Sequence, residues 1–426
     1  MFPTRGASHL DDALRETLAH AARAPFYKKL WGEKARSVMS RAELARLPLL
    51  DKLTAAEHQE ALRVPGIRAT HDFAEAGVVS SATTRTGRPL RILRSVDEAV
   101  PAANEADITP HRTLVIFSPR HGVRSADGPG RIGLPATLHP NTVDVALDLL
   151  GGREPRIRFL VAPLSTLKWM TVAMEKRGVD LGSFGIGAIG TTGYPLTDHA
   201  RRWLGRAWSA QLFDNYSLSE IPGYAGECES CEYQHWHGPP VIAELVDPLT
   251  GRVIDGKEGE LVLTTLVPAV LRMPLIRYRT GDYVERGPAC RSRSGIRFLG
   301  RVGHSLFARR DGRSRPVVLS RDLLELGESA VDVAMHPHPA ETLGRVPPSD
   351  LGVPKILVDT SARRIRAELR YAPERYPEAA AYQKRRAETR GARNRAARTR
   401  EPRSHEVGPE AVADFNLDHA SSTWQR

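Results

Sequence analysis

Short apolar runs that alternate with helical segments constrain the fold of this chain more than any other feature. Residues 141–150 and 197–208 have the spacing of helices and lie between apolar runs that turn residues bound. Strands and helices in alternation are typical of an α/β layered core. The predicted strands of this core are residues 77–79, 113–117, 158–162, 186–189 and 211–213.

The chain is predicted to begin with an amphipathic helix. Leu10, Leu14 and Leu18 recur at helical spacing, and Pro25 is expected to end the helix. A polar, helix-prone stretch follows and continues to about Leu62. We therefore expect the first sixty residues to be mostly helical.

The pattern changes in the second half of the chain. From residue 241 it becomes β-rich, with a strand predicted at 241–246 and another at 260–266. A second change in composition predicts a domain boundary after residue 300. We predict a large layered α/β N-terminal domain (1–300) with a β-rich subdomain. A small α+β C-terminal domain (301–426) is predicted to follow it and to contain a hairpin formed by 356–358 and 365–369.

The composition is that of a protein that buries a core. Of the 426 residues, 41% are hydrophobic and 26% are charged, which excludes wholesale disorder. Three cysteines are too few for a disulfide-stapled secreted scaffold. Residues 1–24 contain no apolar signal region, and no run approaches the roughly 18 apolar residues of a membrane span. We therefore predict a cytoplasmic protein with no membrane partner.

The formal net charge of +11 comes mostly from one tract. Residues 362–403 contain fourteen Lys and Arg against five Glu, so the rest of the chain is nearly neutral. After Tyr382 this basic tract has no aromatic residue that could stack on a base. We interpret it as a solvated helix or tail and do not expect a nucleic-acid partner. The alternative, nucleic-acid binding, predicts an affinity that falls steeply with salt.

A hydroxyl-rich segment lies between two predicted strands, from residue 80 to residue 89. Its hydroxyl and backbone N–H groups can bind phosphate oxygens, and Arg88 adds positive charge. A Ser/Thr surface turn is the alternative interpretation. The candidate phosphate-binding residues are Ser80, Ser81, Thr83, Thr84 and Arg88.

Two further segments carry candidate ligand-binding side chains. Residues 214–220 begin at the end of an apolar run, where α/β sheets bind ligands. They combine a ring that can stack on a purine (Tyr216) with a carboxylate that can bind magnesium (Glu220). Residues 277–282 form a turn that presents Asp282 to a pair of vicinal hydroxyls. Each segment alone is also compatible with a purely structural role.

In order and spacing these segments resemble the acyl-adenylate-forming superfamily, and within it the phenylacetate–CoA ligase-like branch. The resemblance covers most of the chain, and residues 277–282 followed by Gly300-Arg301 are its most specific part. The segments that carry it are 14–17, 25–27, 47–48, 80–89, 190–195, 216–220, 247–248, 259–261, 277–282 and 300–301.

The resemblance implies an ATP-binding role for each candidate residue. The hydroxyl-rich segment would bind the ATP phosphates. Adenine would lie between a turn and an aromatic ring, and a carboxylate would hold the ribose hydroxyls. The residues implied for adenosine are Gly193, Tyr194 and Pro195 in the turn, Tyr216 as the ring, Asp214 beside the adenine amino group, Asn215 in the same segment, and Asp282 at the ribose.

The same resemblance implies three catalytic residues. Ser219 would contact the α-phosphate, and Glu220 would bind Mg²⁺. Arg301, at the predicted hinge, would assist Asp282 in holding the nucleotide. Catalysis in this family consists mostly of positioning and of charge neutralisation by the metal and by cationic side chains.

The implied reaction is the ATP- and Mg²⁺-dependent adenylation of a small carboxylic acid, and we expect an aromatic one. The carboxylate attacks the α-phosphate in line, and pyrophosphate leaves. In this branch a thiol, usually that of coenzyme A, then takes the acyl group. The sequence leaves open whether the acceptor is a carrier-protein thiol and whether the protein forms a homodimer. Two alternatives are a relative that activates another oxyanion, such as nitrite for diazotisation of an arylamine, and a non-catalytic nucleotide-binding relative.

The three cysteines have the spacing of a metal site. Cys228 and Cys231 precede two histidines, and Cys290 lies on the far side of the β-rich region. Some members of the branch have a similar arrangement, and three thiolates with one imidazole would form a closed structural zinc site. The predicted ligands are Cys228, Cys231, His235 and Cys290, with His237 as the alternative to His235; three unrelated thiols are the other interpretation.

The C-terminal end departs from the family's pattern. The family carries a catalytic Lys near the C-terminus, but residues 415–426 contain no Lys, and the last one is Lys384 in the basic tract. Two smaller departures lie in the phosphate-binding segment, where Ala82 replaces a Gly and Arg88 replaces a Lys. The sequence therefore leaves open which side chain replaces the terminal Lys.

Overall fold

The computed structural model describes most of the chain up to residue 331 and two short strands beyond it. The described residues are 7–67, 78–83, 89–93, 112–117, 130–135, 141–152, 156–175, 177–290, 293–310, 312–331, 355–359 and 364–368. The helices are α1 (Ala7–Ala21), α2 (Pro25–Trp31), α3 (Lys52–Glu57), α4 (Asn141–Gly151), α5 (Leu164–Glu175), α6 (Asp198–Trp208) and α7 (Ser320–Val331). The strands are β1 (Val78–Thr83), β2 (Pro89–Ile92), β3 (Arg112–Phe117), β4 (Arg131–Pro135), β5 (Ile157–Pro163), β6 (Ala188–Thr192), β7 (Gln211–Ser217), β8 (Tyr224–Glu227), β9 (Gln234–His237), β10 (Val241–Val246), β11 (Glu258–Thr265), β12 (Tyr278–Cys290), β13 (Arg293–Arg301), β14 (Leu306–Arg310), β15 (Arg313–Val318), β16 (Lys355–Asp359) and β17 (Arg364–Glu368).

The first helix agrees with its predicted apolar stripe and differs at its end. Leu10, Leu14 and Leu18 are buried in the core, as their helical spacing predicts. The helix ends at Ala21, and Pro25 begins α2 instead of terminating α1. Proline suits that position because the first turn of a helix leaves its N–H groups unbonded in any case.

One sheet of eleven strands organises the described part of the chain, in the order β10-β11-β12-β13-β9-β8-β7-β6-β5-β3-β4. Strands β3 to β7 pair in parallel, with α4, α5 and α6 as the intervening helices. From β7 onward all pairs are antiparallel. The sheet therefore has a parallel half and an antiparallel half that meet at β7.

Each half of the sheet buries its own apolar core. The core of the parallel half contains residues of α4, α5 and α6, including Met170 and Trp208. The core of the antiparallel half also contains the N-terminal helices, including Leu14 and Tyr27. The predicted alternation of strand and helix, followed by a β-rich region, is confirmed as a mixed α/β fold with one large sheet.

The chain leaves the large sheet at the end of β13. A 3-10 turn at Val302–His304 leads to the β14–β15 hairpin and then to α7, which contacts α6. Strands β16 and β17 form the predicted hairpin. The boundary at residue 300 and the separate domain at 301–426 stay predictions, and most of the basic tract lies outside the described residues. Among the described helices, none combines the length and apolar character that crossing a membrane requires.

Candidate functional site

A ring, a carboxylate and a guanidinium meet where β7 lies near β12 and β13. The Tyr216 hydroxyl donates to Asp282 Oδ2 at 2.8 Å, and Arg301 Nε lies 3.1 Å from Asp282 Oδ1. Strand register explains the second contact, because Asp282 on β12 is directly opposite Arg301 on β13. Three candidate residues from three separate segments of the sequence thus form one network.

The Asp282 carboxylate is buried and remains able to accept further hydrogen bonds. Burial raises the pKa of Asp282 to about 6, although the charge of Arg301 opposes this effect. Each carboxylate oxygen has two lone pairs, and the network uses one contact on each oxygen. At neutral pH the carboxylate is therefore mostly ionised and can accept from a pair of hydroxyl groups.

Two glycines permit this arrangement. Gly281 has φ +73°, in the left-handed region, and it bends β12 immediately before Asp282. Gly300 has φ +121°, and a Cβ there would collide with Ser320 Oγ at the start of α7. A glycine thus directly precedes each member of the Asp282–Arg301 pair, at a backbone conformation that other residues rarely adopt.

A second buried carboxylate, Glu220, lies close to this network. Lys52 Nζ is 3.0 Å from Glu220 Oε1, and the Tyr278 hydroxyl donates to the same oxygen at 3.0 Å. Burial alone would raise the pKa of Glu220, but the charge of Lys52 and the two donors outweigh burial and lower it. Glu220 is therefore held as a carboxylate, as a magnesium ligand must be.

Lys52 was not among the predicted site residues. Leu50 forms backbone hydrogen bonds with Arg277 and Arg279 on either side of Tyr278, which brings the start of α3 to Glu220. Asp51 caps α3 by accepting from Thr54 N at 2.8 Å. The cap is visible in the sequence, but the long-range bridge at Leu50 is not.

The turn predicted to contact adenine follows β6 directly. Gly193 has φ +88°, Tyr194 is partly exposed, and Pro195 is buried. Leu196 N, just after the turn, donates to Asp214 Oδ2 at 3.3 Å. The turn is therefore attached to the strand that carries Tyr216.

Asp214 and Asn215 lie on opposite faces of β7, as alternation along a strand requires. Asp214 is buried, and burial raises its pKa to about 7; Glu227 adds to the rise, and the hydrogen bond from Leu196 opposes it. A Cβ on Gly190 would lie 2.7 Å from Asn215 Nδ2. Asn215 therefore packs against β6, whereas Ser219 is half-buried beside Glu220.

The hydroxyl-rich segment is described in part. Ser80, Ser81 and Thr83 belong to β1, which pairs with β2 in a separate two-stranded sheet; Thr84 and Arg88 lie outside the described residues. The prediction that these residues form a loop after a strand at 77–79 is wrong for Ser80, Ser81 and Thr83, because the strand continues through Thr83. The residues between β1 and β2 lie outside the described part of the chain. This sheet is attached to the α3 region, because Arg91 N on β2 donates to Gln59 Oε1 at 3.0 Å.

The three cysteines and one histidine form a cluster at the ends of β8, β9 and β12. Their candidate ligand atoms all lie within 4.8 Å of one another, with Cys231 Sγ 3.0 Å from His235 Nε2 and Cys228 Sγ 3.9 Å from Cys290 Sγ. His237 is exposed, and its ring stacks on Tyr224. A set of three thiols and one imidazole fits a closed tetrahedral zinc site with His235 as the fourth ligand.

The solved structures that resemble this chain include one protein in several states. The chain resembles 2-hydroxyisobutyryl-CoA ligase in an open conformation with 2-HIB-AMP and CoA (TM-score 0.59, 16% identity, 90% of this chain and 88% of that one). The postadenylation state of the same protein with 2-HIB-AMP has a TM-score of 0.58 and 17% identity, over 91% of this chain and 84% of that one. The thioesterification state has a TM-score of 0.55 and 18% identity, over 91% of this chain and 84% of that one. Neither the protein-family models nor the curated proteins provide a match. These similarities establish the fold.

Proposed function

We propose that this chain, which has the fold of the acyl-adenylate-forming superfamily, catalyses ATP-dependent adenylation of a small carboxylic acid. The observation that carries the proposal is the pair of buried carboxylates, Asp282 and Glu220, beside Tyr216 and two cations. One carboxylate suits vicinal ribose hydroxyls and the other suits a cation next to phosphate. Placement in the phenylacetate–CoA ligase-like branch rests on the sequence motifs.

In the proposed reaction a carboxylate oxygen of the acid attacks the α-phosphorus of ATP. The new P–O bond forms as the bond to the β-phosphate breaks, so that pyrophosphate leaves and an acyl-adenylate remains. Charge in such a transition state is spread over the phosphoryl oxygens, and catalysis consists of positioning and electrostatic stabilisation. Asp282 and Tyr216 would hold the nucleoside, and Ser219 would contact the α-phosphate.

Lys52 is the cation that we place nearest the transferred group. It lies beside Glu220 and is 23% exposed, so it can reach a bound phosphate while it keeps Glu220 ionised. Glu220 would hold Mg²⁺, which when bound neutralises the phosphate oxygens. We propose that Lys52 supplies part of the positive charge that stabilises the phosphoryl oxygens during adenylation.

The acid and the acceptor are the finer parts of the proposal. We propose an aromatic acid, with coenzyme A or a carrier-protein thiol as the acceptor. The fit to 2-hydroxyisobutyryl-CoA ligase makes a short hydroxy acid the direct competitor. The assay panel should therefore contain both classes of acid, each measured with and without coenzyme A.

Acid-dependent exchange of labelled pyrophosphate into ATP tests the proposal directly. We expect exchange with at least one acid and a strong loss in a Lys52→Met variant. The exposed Arg177, in the turn that follows helix α5, provides the matched control, Arg177→Gln. If the protein binds ATP but shows no exchange with any acid of the panel, the proposal is contradicted. AMP release that requires nitrite and an arylamine would favour activation of nitrite instead. A protein that binds ATP and reacts with neither is the non-catalytic relative.

We also propose that the cysteine cluster holds a structural zinc ion. The purified protein should contain zinc in stoichiometric amount, and Cys290→Ser should lower that content because the site loses a thiolate ligand. His237→Ala is the matched control and should keep the metal. Zinc that is absent from the wild-type protein, or unchanged in Cys290→Ser, would refute the assignment.

A further inference from the structure

Helix α7 caps the N-terminus of helix α6. Glu325 accepts hydrogen bonds from Asp198 N at 2.7 Å and from His199 N at 3.0 Å, both in the first turn of α6. A carboxylate in this position satisfies N–H groups that have no partner within the helix and interacts favourably with the helix dipole. The helix that follows the predicted hinge is therefore attached to the parallel half of the sheet.

A buried ion pair makes the second attachment. Glu328 of α7 is 1% exposed and contacts Lys168 of α5, which is 3% exposed. Its other carboxylate oxygen accepts from Thr197 Oγ1, the side chain that caps α6 by accepting from Ala200 N at 3.1 Å. Burial lowers the pKa of Lys168, and the charge of Glu328 opposes this effect.

These contacts reach the turn that we assign to adenine. Thr197 and Leu196 follow Pro195 directly, and Arg321 Nη2 of α7 lies 3.5 Å from Leu196 O. On its other side Leu196 is bonded to Asp214. The exit of the turn is thus held by β7 from one side and by α7 from the other.

The N-terminal end of α7, where Arg321 contacts Leu196, also reaches the Asp282–Arg301 pair. Ser320, the first residue of α7, accepts from Arg301 N at 3.1 Å. Glu328 lies eight residues later, which in an α-helix is a separation of about 12 Å along the axis. One short rigid helix therefore joins the residue beside the ribose carboxylate to the turn at the adenine side.

We propose that α7 is a strut that sets the spacing of the two sides of the nucleotide site, with Glu328 and Lys168 as positioning residues for ATP. This inference rests on the proposed function. The helix lies after the predicted hinge but is attached to β13 at one end and to α5 and the N-cap of α6 near the other. The buried pair stabilises this arrangement of α7, because displacing the helix would leave two charges without their partners inside the protein.

The test separates positioning from stability. The variants are Glu328→Gln, which removes the charge, and the double replacement Lys168→Met with Glu328→Leu, which fills the space with apolar groups. The dissociation constant of ATP is measured by calorimetry without acid, and KM for ATP and kcat are measured in pyrophosphate exchange. Unfolding temperatures are recorded for all variants, and Arg177→Gln is the control.

We expect about a tenfold weaker binding of ATP in Glu328→Gln, with kcat within about twofold of the wild type. The double variant should recover the unfolding temperature and not the affinity, because leucine at position 328 cannot accept the hydrogen bond from Thr197. The proposed role of α7 would be overturned if the double variant recovered both the unfolding temperature and the affinity for ATP. It would also be overturned if the affinity were unchanged in the two variants. Wild-type protein that does not bind ATP would refute the proposed function itself, whereas ATP binding without exchange leaves the calorimetric test intact.

Discussion

The two halves of the sheet use the same chemistry, a buried carboxylate next to a cation, in different ways. In the antiparallel half the cations stay accessible: the side chains of Arg301 and Lys52 are 43% and 23% exposed. The pair that Lys168 of the parallel half forms with Glu328 is buried, because the two side chains are only 3% and 1% exposed. An accessible cation can leave its carboxylate and bind a ligand at little cost in free energy. A buried cation cannot, because its partner would remain as an unpaired charge inside the protein. The accessible pairs therefore suit binding and catalysis, and the buried pair suits positioning.

Replacing Lys52 should have the largest effect on activity. Lys52→Met removes the cation beside Glu220, and we expect kcat/KM for pyrophosphate exchange to fall by about 10²–10³-fold, the usual loss when one electrostatic donor is removed from a site. Lys52→Arg should recover part of it, because the charge stays and the geometry changes. The exposed Lys28 of α2 supplies the control, Lys28→Met. Equal activity in Lys52→Met and this control would remove Lys52 from the mechanism.

Asp214 belongs to neither kind of pair: it is buried, but it forms no close ion pair among the described contacts. Its pKa is raised by burial to about 7, above the usual value of 3.8. Its contribution to stability is therefore present below about pH 4 and is lost as the pH rises through about 7. Asp214→Asn should remove this loss and stabilise the protein at pH 8 by roughly 2 kcal/mol, with little change at pH 4.

Unfolding by urea at pH 4 and pH 8 measures this difference. Asp247 is a control of opposite sign. Burial acts to raise its pKa, but hydrogen bonds from Ser314 and Thr250 outweigh burial and lower it. Its contribution to stability is present above the usual pKa and lost as the pH falls, so Asp247→Asn should destabilise the protein at pH 8. An Asp214→Asn effect that is the same at both pH values would contradict the assignment of a raised pKa.

The predicted elements were recovered where a local pattern encodes them. The apolar run at β5 and the helical spacing of α6 are visible within a dozen residues, and both elements are present. The meeting of Tyr216 with Asp282 could be predicted by resemblance, because each belongs to a recognisable segment. The choice between His235 and His237 could not be made from alternation along β9, since both histidines lie on the same face of the strand.

The ion pairs could not be predicted because they depend on contacts between distant segments. Lys52 lies beside Glu220 because backbone hydrogen bonds of Leu50 hold the start of α3 there. Backbone hydrogen bonds of this kind do not depend on side-chain identity, so the sequence carries no pattern that predicts them. Lys168 lies in a mostly apolar helix, and its partner is 160 residues away in the sequence, on α7. The positions of cations relative to a predicted site are thus the information that required the three-dimensional structure.

Asp282 gives the smallest of the expected effects and tests whether the accessible pairs bind the nucleotide. Asp282→Asn keeps an oxygen for Tyr216 and loses the charge, and we expect KM for ATP to rise by about 10–30-fold, in the range of one hydrogen bond to a charged group. Because burial raises the pKa of Asp282 to about 6, wild-type affinity for ATP should weaken as the pH falls below that value. Asparagine does not titrate, so the variant should lose this dependence. Calorimetric titration of ATP between pH 5 and pH 8 measures both effects, and a wild-type affinity that does not change with pH would separate Asp282 from ribose binding.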